Sequence, residues 1–423
     1  MAAIAPKRLV VCFDGTWNSA DSERAETNVA RIARAVRASS GDRVQITLYL
    51  RGIGTTGLAV QRVVEGATGL GIDDTIRSGY MFLAQNYIPG DEIHLFGFSR
   101  GAFGARSLAG FLAAAGLLKR QSLGSILAAW DYYRGPAPRS PAGFRDLAGA
   151  EVHEEVPVAF LGVWDTVGSL GIPGTLFSGL NVAFQFHDTE PSRIIRRARH
   201  ALAVDEHRDE FVPTLWTGAP PPGSDIRQLW FAGAHSDVGG GYVERGLADI
   251  SLAWMADEAA RAGLSLDEAA LFPRGRAWLD PLAPQHESRH GWSGKDRLTP
   301  TIREVCGREV PVQPWESLYA PRAADGTRLP TINEALHPSL ARRYGQRVRL
   351  IEDAGAERLI DYRPKNLVPP LRCARQAAAR MLWIGNQLAG RGPDGWRLKS
   401  SNPQLRRLSR GRSIPWRRAG LRN

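Results

Sequence analysis

His94-Leu95-Phe96-Gly97-Phe98-Ser99-Arg100-Gly101-Ala102 decides how the rest of the chain is read. An apolar run, Glu92–Phe96, leads into it, and small residues (Gly101, Ala102, Gly104, Ala105) lead out of it. The pattern is G-x-S-x-G at the junction of a predicted strand and a predicted helix. Such a junction lifts a serine hydroxyl clear of a sheet edge only through a tight, strained turn. Gly97 and Gly101 remove the Cβ atoms that would clash across that turn. The helix starting at Arg100 brings the positive end of its dipole to the same point, where it favours a developing oxyanion.

Outward from this segment, short β-rich runs alternate with helical patterns. The runs are Arg8–Phe13, Val44–Leu50, Glu92–Phe96, Val158–Trp164 and Ile226–Phe231. Helical periodicity is read over Asn28–Val36, Asp73–Tyr87, Arg193–Val204 and Leu247–Ala262. Strand–helix alternation with near-continuously apolar strands implies an α/β fold, with a mostly parallel sheet and helices on both faces. With the serine turn, the expected architecture is α/β-hydrolase-like. Residues 263–360, rich in Pro, Arg and Gly, are expected to be irregular, cap-like additions to a catalytic domain spanning 1–370. Residues 371–390 suit one amphipathic helix, and 391–423, a basic tail without periodicity, are expected to be disordered.

In this architecture the partners of the serine follow in the order acid, then histidine, at later strand ends. Val158–Trp164 runs into Asp165-Thr166-Val167-Gly168, and Ile226–Phe231 leads to His235-Ser236-Asp237-Val238-Gly239. Ser99, Asp165 and His235 are therefore the candidate catalytic set. His235 would take the serine proton and Asp165 would hold the imidazole. Asp237 is a rival acid whose other reading is a turn residue of its glycine-rich loop. The first strand ends in Phe13-Asp14-Gly15-Thr16. Gly15 or Thr16 is the candidate second oxyanion donor beside the N–H of Arg100, with Asp14 orienting the loop. Among the other histidines, His94 reads as a strand residue, His153 as solvated and His200 as a mid-helix structural residue. No D-x-D or clustered-histidine spacing supports a metal at Asp14, Asp165 and Asp237, so neither metal nor cofactor is expected. The apolar stretch Leu170–Phe186 is a candidate lid or acyl-binding surface.

Composition narrows the alternatives. The 423 residues are 43% apolar and 23% charged, which suits a globular chain and excludes collagen-like, coiled-coil and wholly disordered readings. Three scattered cysteines, Cys12, Cys306 and Cys373, provide neither a zinc knuckle nor a disulfide framework. No apolar stretch approaches membrane-spanning length, and Leu9–Phe13 is too short for a signal-peptide core. With these features the cytoplasm or a membrane periphery is the expected location. The net charge of +11 is concentrated at the end, where ten Lys and Arg between Arg391 and Arg422 face one acid, Asp394. With Trp396 and Trp416 among them, this segment is a candidate for an anionic membrane surface. No fold signature for specific nucleic-acid binding is present.

FDGTWN, YLRGIGT, GDEIHLFGFSRGA, VWDTVGS, RHALAVDE, LWFAGAHSDVGGGY and YRPKNL (Tyr362–Leu367) together resemble the DUF2235 family, from about Arg8 to Leu367. That α/β-hydrolase domain also forms the catalytic part of some type VI secretion phospholipase effectors, so the resemblance implies a bacterial protein, with export by a contact-dependent system as the alternative to a cytoplasmic or membrane-peripheral location. The resemblance implies a Ser–Asp–His triad carried onto Ser99, Asp165 and His235. The activity expected is hydrolysis of carboxylic esters, foremost of lipids or phospholipids, through an acyl-enzyme. The alternative is a non-catalytic protein of the same fold that binds a membrane surface or partner through its basic tail.

Overall fold

The computed structural model describes residues 5–15, 25–41, 43–52, 71–168, 190–276, 279–289, 299–323, 325–352 and 355–373. Two units are distinguished, Met1–Arg372 and Cys373–Asn423. Of the second, only Cys373 is described. Thr16, the stretch Leu170–Phe186, residues 374–390 of the expected helix and the basic segment 391–423 lie outside the described residues. Residues 368–373 are helical.

The first unit is built on an eight-stranded sheet in the order β13-β9-β8-β7-β4-β1-β3-β2. Its strands are β1 (Arg8–Phe13), β2 (Ser39–Ser40), β3 (Arg43–Leu50), β4 (Glu92–Phe98), β7 (Val158–Trp164), β8 (Arg197–Ala203), β9 (Asp225–Phe231) and β13 (Glu334–Leu336). All neighbours pair in parallel except β2 with β3. A two-stranded antiparallel pair, β5 (Leu117–Leu118) and β6 (Val152–His153), lies outside this sheet.

Alternation along β1 shows why both faces must be covered. Leu9, Val11 and Phe13 enter one core with Ile76, Tyr80 and Leu83 of α2 (Ile72–Asn86) and Ala105 and Leu108 of α3 (Arg100–Ala115). Val10 and Cys12 enter the opposite core with Val29 and Ile32 of α1 (Asn28–Ala35). Helices α4 (Ile126–Arg134) and α5 (Pro141–Ala148) add Ala129, Trp130 and Phe144 to the first core. The short α6 (His235–Gly239) and α7 (Gly246–Arg261) belong to the second. The first unit is thus a mostly parallel α/β sheet with helices packed on both faces.

Two expectations are corrected. Arg193–Val204 is not helical: Arg197–Ala203 forms the central strand β8 and His200 is a strand residue. Arg and Ala favour a helix, but pairing on both sides with β7 and β9 overrides that preference. The charge this brings into the sheet is matched, because buried Arg199 is paired with Glu258 of α7 and Asp225 of β9. Residues 263–360 are also more regular than expected. They supply β13, a parallel pair of β11 (Thr301–Arg303) and β12 (Ser317–Tyr319), and a three-stranded sheet of β10 (Gln285–His286), β14 (Arg347–Ile351) and β15 (Glu357–Asp361). Strands of two to five residues are too short to leave a readable period.

Candidate active site

Strand register brings the first two candidate groups together. Phe98 of β4 pairs with Trp164 of β7, so Ser99 and Asp165 follow side by side at the C-terminal rim of the sheet. The Ser99 N–H donates to the Trp164 carbonyl at 3.1 Å, and the Val167 N–H to the Ser99 carbonyl at 3.4 Å. Both residues have left-handed backbones, with φ 57° at Ser99 and 38° at Asp165. Such conformations cost of order 1–3 kcal/mol for a residue with a Cβ and persist only where the surroundings impose them. The turn is tight enough that a Cβ on Gly97 would sit 2.5 Å from the Ala102 Cα. One on Gly101 would sit 2.3 Å from the Phe13 carbonyl oxygen, which lets the start of α3 rest on the end of β1. Ser99 is buried but for 8% of its surface.

His235 opens α6 beyond the end of β9, and its Nδ1 lies 2.7 Å from Asp165 Oδ2. Both side chains are buried. A carboxylate only accepts, so Nδ1 carries the ring proton and Nε2 presents a lone pair. That Nε2 is buried and has no hydrogen-bond partner among the described residues. The imidazole is held by the Phe98 ring at 4.6 Å and by the edge of Phe211 at 4.9 Å. Burial lowers its pKa below the usual histidine value, against the opposing pull of Asp165 and Glu206. The ring is therefore neutral, and basic at Nε2, near pH 7.

Asp165 is the most heavily bonded group of the site. Besides the His235 ring it accepts from the Ala203 N–H at 3.0 Å and from Arg303 Nη1 and Nη2 at 2.7 and 3.0 Å. Burial pushes its pKa up, but Arg303 and His235 outweigh this and hold the carboxyl well below the ordinary range.

The sequence did not mark Arg303, which lies 138 positions from Asp165 in a segment without periodicity. Glu206 was also missed. It accepts the His235 backbone N–H at 3.2 Å and is paired with Arg208, which holds its pKa down to about 2 despite burial. A signal for Glu206 was present, since it closes the RHALAVDE segment. YRPKNL has a structural meaning as well. Tyr362 donates its hydroxyl to Asp205 at 2.8 Å, and Asn366 donates its amide to the carbonyls of Val204 and Arg303 at 3.1 and 3.2 Å. Asp205 in turn accepts the Gly233 N–H at 2.7 Å, two residues before His235.

Arg100 follows Ser99 in the first turn of α3. The Gly15 N–H is already donated to Asp14 Oδ1 at 2.7 Å, so it is not directed at an incoming oxyanion as expected. The Asp14 carboxylate is caged by the Thr27 and Tyr49 hydroxyls, and burial raises its pKa to about 6 against these hydrogen bonds. Asp237 does not reach His235; it is bonded to His286. Asp14, Asp165 and Asp237 thus occupy three separate cages, and no metal-binding cluster occurs among the described residues. His94 is buried in β4. His200 accepts the Thr166 N–H at 3.1 Å beside Asp165. His153 is half-buried against the Tyr87 ring rather than solvated.

The protein YEL023C of Saccharomyces cerevisiae is 30% identical over 236 residues, covering 51% of this chain and 33% of that protein. An uncharacterized protein from Pseudomonas aeruginosa is 18% identical, with a TM-score of 0.36 over 65% of this chain and 47% of that one. The Tle1 effector bound to the VgrG spike from the type VI secretion system is 22% identical, with a TM-score of 0.34 over 56% and 51%. This chain spans a third of the curated relative's length and about half of each of these structures. The family model for the catalytic domain of Tle1-like type VI secretion phospholipase effectors matches residues 7–258. With more than half of its sequence inside that match, the chain belongs to the Tle1-like phospholipase effector catalytic-domain family.

Proposed function

We propose that the protein is a serine hydrolase that cleaves carboxylic esters of lipids, phospholipids foremost, through an acyl-enzyme. The reading is carried by one observation: a buried histidine bonded through Nδ1 to an ionised aspartate, its Nε2 free of any described partner, at the rim that holds a strained serine turn. Membership of a phospholipase effector family supports the lipid ester as substrate class.

In this mechanism the Ser99 hydroxyl attacks the ester carbonyl and passes its proton to His235 Nε2. Asp165 keeps the ring in the reactive tautomer and stabilises the imidazolium that forms. The tetrahedral oxyanion is met by the N–H of Arg100 and the dipole of α3. The imidazolium then protonates the leaving alcohol. A water, deprotonated by the same nitrogen, releases the acid and restores the hydroxyl. Nε2 accepts no hydrogen bond from Ser99 among the described residues, so this reading has the serine–histidine contact tighten in the Michaelis complex. Of the two expected second donors, Gly15 has its N–H on Asp14, which favours Thr16 in this reading.

The test is labelling by a fluorophosphonate probe, together with hydrolysis of esters graded from short p-nitrophenyl acyl esters to phospholipid vesicles. Labelling lost in Ser99→Ala and His235→Ala, with turnover favouring the lipid end, is expected. Absence of labelling in folded wild-type protein would overturn the reading.

A further inference from the structure

The family match ends at residue 258, yet the carboxylate at the centre of the site is gripped by a residue beyond it. Arg303 ends β11 and is buried, with 1% of its surface exposed. Its guanidinium is spent on four acceptors around one point. Nη1 donates to Asp165 Oδ1 and to the Ala203 carbonyl, both at 2.7 Å. Nη2 donates to Asp165 Oδ2 at 3.0 Å and to the Phe211 carbonyl. Phe211 is the residue whose ring edge meets His235. The Arg303 carbonyl is itself fixed by Asn366. One planar fork therefore fastens the acid, the end of β8 and the segment that packs on the imidazole.

We propose that Arg303 is a positioning residue of the reaction: it locks the Asp165 carboxylate against His235 and sets the pH at which His235 can accept the serine proton. The proposal rests on the serine-hydrolase reading. Its physical basis is charge compensation. An aspartate alone beside a histidine stabilises the imidazolium and raises the ring's basicity. A guanidinium bonded to both oxygens of that aspartate takes up part of its negative charge and limits the rise. The ring thus stays unprotonated, and competent as a base, to lower pH. Among the described residues, the charged groups around His235 are Asp165 beyond β7 and Glu206 and Arg208 beyond β8, with Arg303 of β11 behind Asp165 and bonded to it. Glu206 carries its own partner in Arg208, so among these Arg303 is the cation that compensates Asp165.

The experiment follows His235 by NMR titration of histidine-labelled full-length protein, and in parallel the pH profile of fluorophosphonate labelling and ester turnover. Wild type, Arg303→Met and Arg303→Lys are compared, each checked for folding by circular dichroism. In wild type the ring should titrate below the ordinary histidine value. Arg303→Met should raise the midpoint by about one unit and carry the acid limb of the labelling rate with it. Turnover at neutral pH should fall by roughly ten- to a hundredfold, in kcat more than in KM. Arg303→Lys should fall between the two, because an ammonium supplies charge without the planar fork. A merely structural arginine would lower activity without moving the midpoint, and that result in either folded variant overturns the proposal. A wild-type midpoint above seven overturns it without any variant. Titration reads the ring directly, so it remains decisive for Arg303 even if no ester is cleaved, which would defeat the enzymatic reading instead.

Discussion

Asp237 turns both carboxylate oxygens to a single residue, His286: Oδ1 lies 2.7 Å from the ring Nδ1, and Oδ2 accepts the backbone N–H at 2.9 Å. The same Oδ2 takes the Ala234 N–H at 3.0 Å, and the far ring nitrogen of His286 meets Glu244 at 3.3 Å. Asp237 thus ties the turn that carries His235 to strand β10. Of the two acids legible in the sequence, it is the one whose loss should act on stability before chemistry. Asp237→Asn is expected to lower the unfolding midpoint while leaving labelling within about tenfold of wild type, whereas Asp165→Asn should cost two or more orders of magnitude more in rate. Parallel thermal denaturation and labelling rates check this. Equal loss of rate in the two variants would return Asp237 to candidacy as the acid.

The same contact has a pH signature. Burial alone would lower the His286 pKa, but Asp237 and Glu244 outweigh it and raise the value above 6.5. A histidine whose folded pKa is raised gives stability that is complete below its unfolded pKa and is lost as pH rises through the folded one. The difference in melting temperature between wild type and His286→Gln should therefore be largest near pH 6 and shrink towards pH 8. A difference that is flat or grows over that interval refutes the assignment.

How much of this was readable beforehand depends on whether the signal was local. The turn around Ser99 was legible because its glycines, serine and small residues are consecutive, and β1 and β7 matched their apolar runs residue for residue. Asp165 and His235 followed from the rule that parallel strands end on one rim. Strand β8 was hidden, since arginines and alanines in RARHALA imitate a helix and the partners that neutralise Arg199 come from β9 and α7. Arg303 had no local signature at all. Its role arises only when β11 is brought beside Asp165 across 138 positions. The occupation of the Gly15 N–H by the neighbouring carboxylate is likewise a matter of side-chain rotamer, which a motif does not specify.

Ser99 offers a test that separates strain from chemistry. Its φ of 57° and ψ of −125° are comfortable only for glycine. Ser99→Ala keeps the Cβ and the strain, while Ser99→Gly removes both. Relief of about 1–3 kcal/mol, less the roughly 0.5–1 kcal/mol by which glycine loosens the unfolded chain, leaves Ser99→Gly about 1 kcal/mol more stable than Ser99→Ala. Denaturant midpoints decide it, and both variants should be inert to the probe. An alanine variant as stable as the glycine one would mean that the stored strain is no more than the roughly 0.5–1 kcal/mol that glycine costs through the unfolded chain, below the range expected of such a turn.

Gly101 is required by contact rather than by its dihedral angle. An added methyl would meet the carbonyl oxygens of Phe13 and Asp14 at 2.3 and 2.4 Å, and backbone at a strand end cannot swing aside. Gly101→Ala should push α3 off the end of β1, costing roughly 1–3 kcal/mol or more by overpacking and slowing labelling because the Arg100 N–H moves with the helix. Gly124, where nothing lies within 4 Å of the added atom, is the control: Gly124→Ala should alter neither labelling nor stability by a comparable amount.

Asp14 is a buried carboxyl whose partners among the described residues are uncharged hydrogen-bond donors. Burial raises its pKa from 3.8 to about 6, although hydrogen bonds from Tyr49, Thr27 and Gly15 pull the other way. A carboxyl whose folded pKa exceeds its unfolded value binds its proton more tightly in the folded state. Its stabilising share is therefore complete below about pH 4 and disappears as pH rises through about 6. That is opposite to the behaviour of a salt-bridged acid such as Asp165, whose share is lost as pH falls. Asp14→Asn keeps the shape of the side chain without the charge. It should leave stability near that of wild type at pH 4.5 and exceed it at pH 8, where wild type must hold a buried carboxylate. Chemical denaturation at the two pH values reads this directly; a variant less stable at pH 8 than at pH 4.5, relative to wild type, would show that the charged form is the one the cage is built to hold.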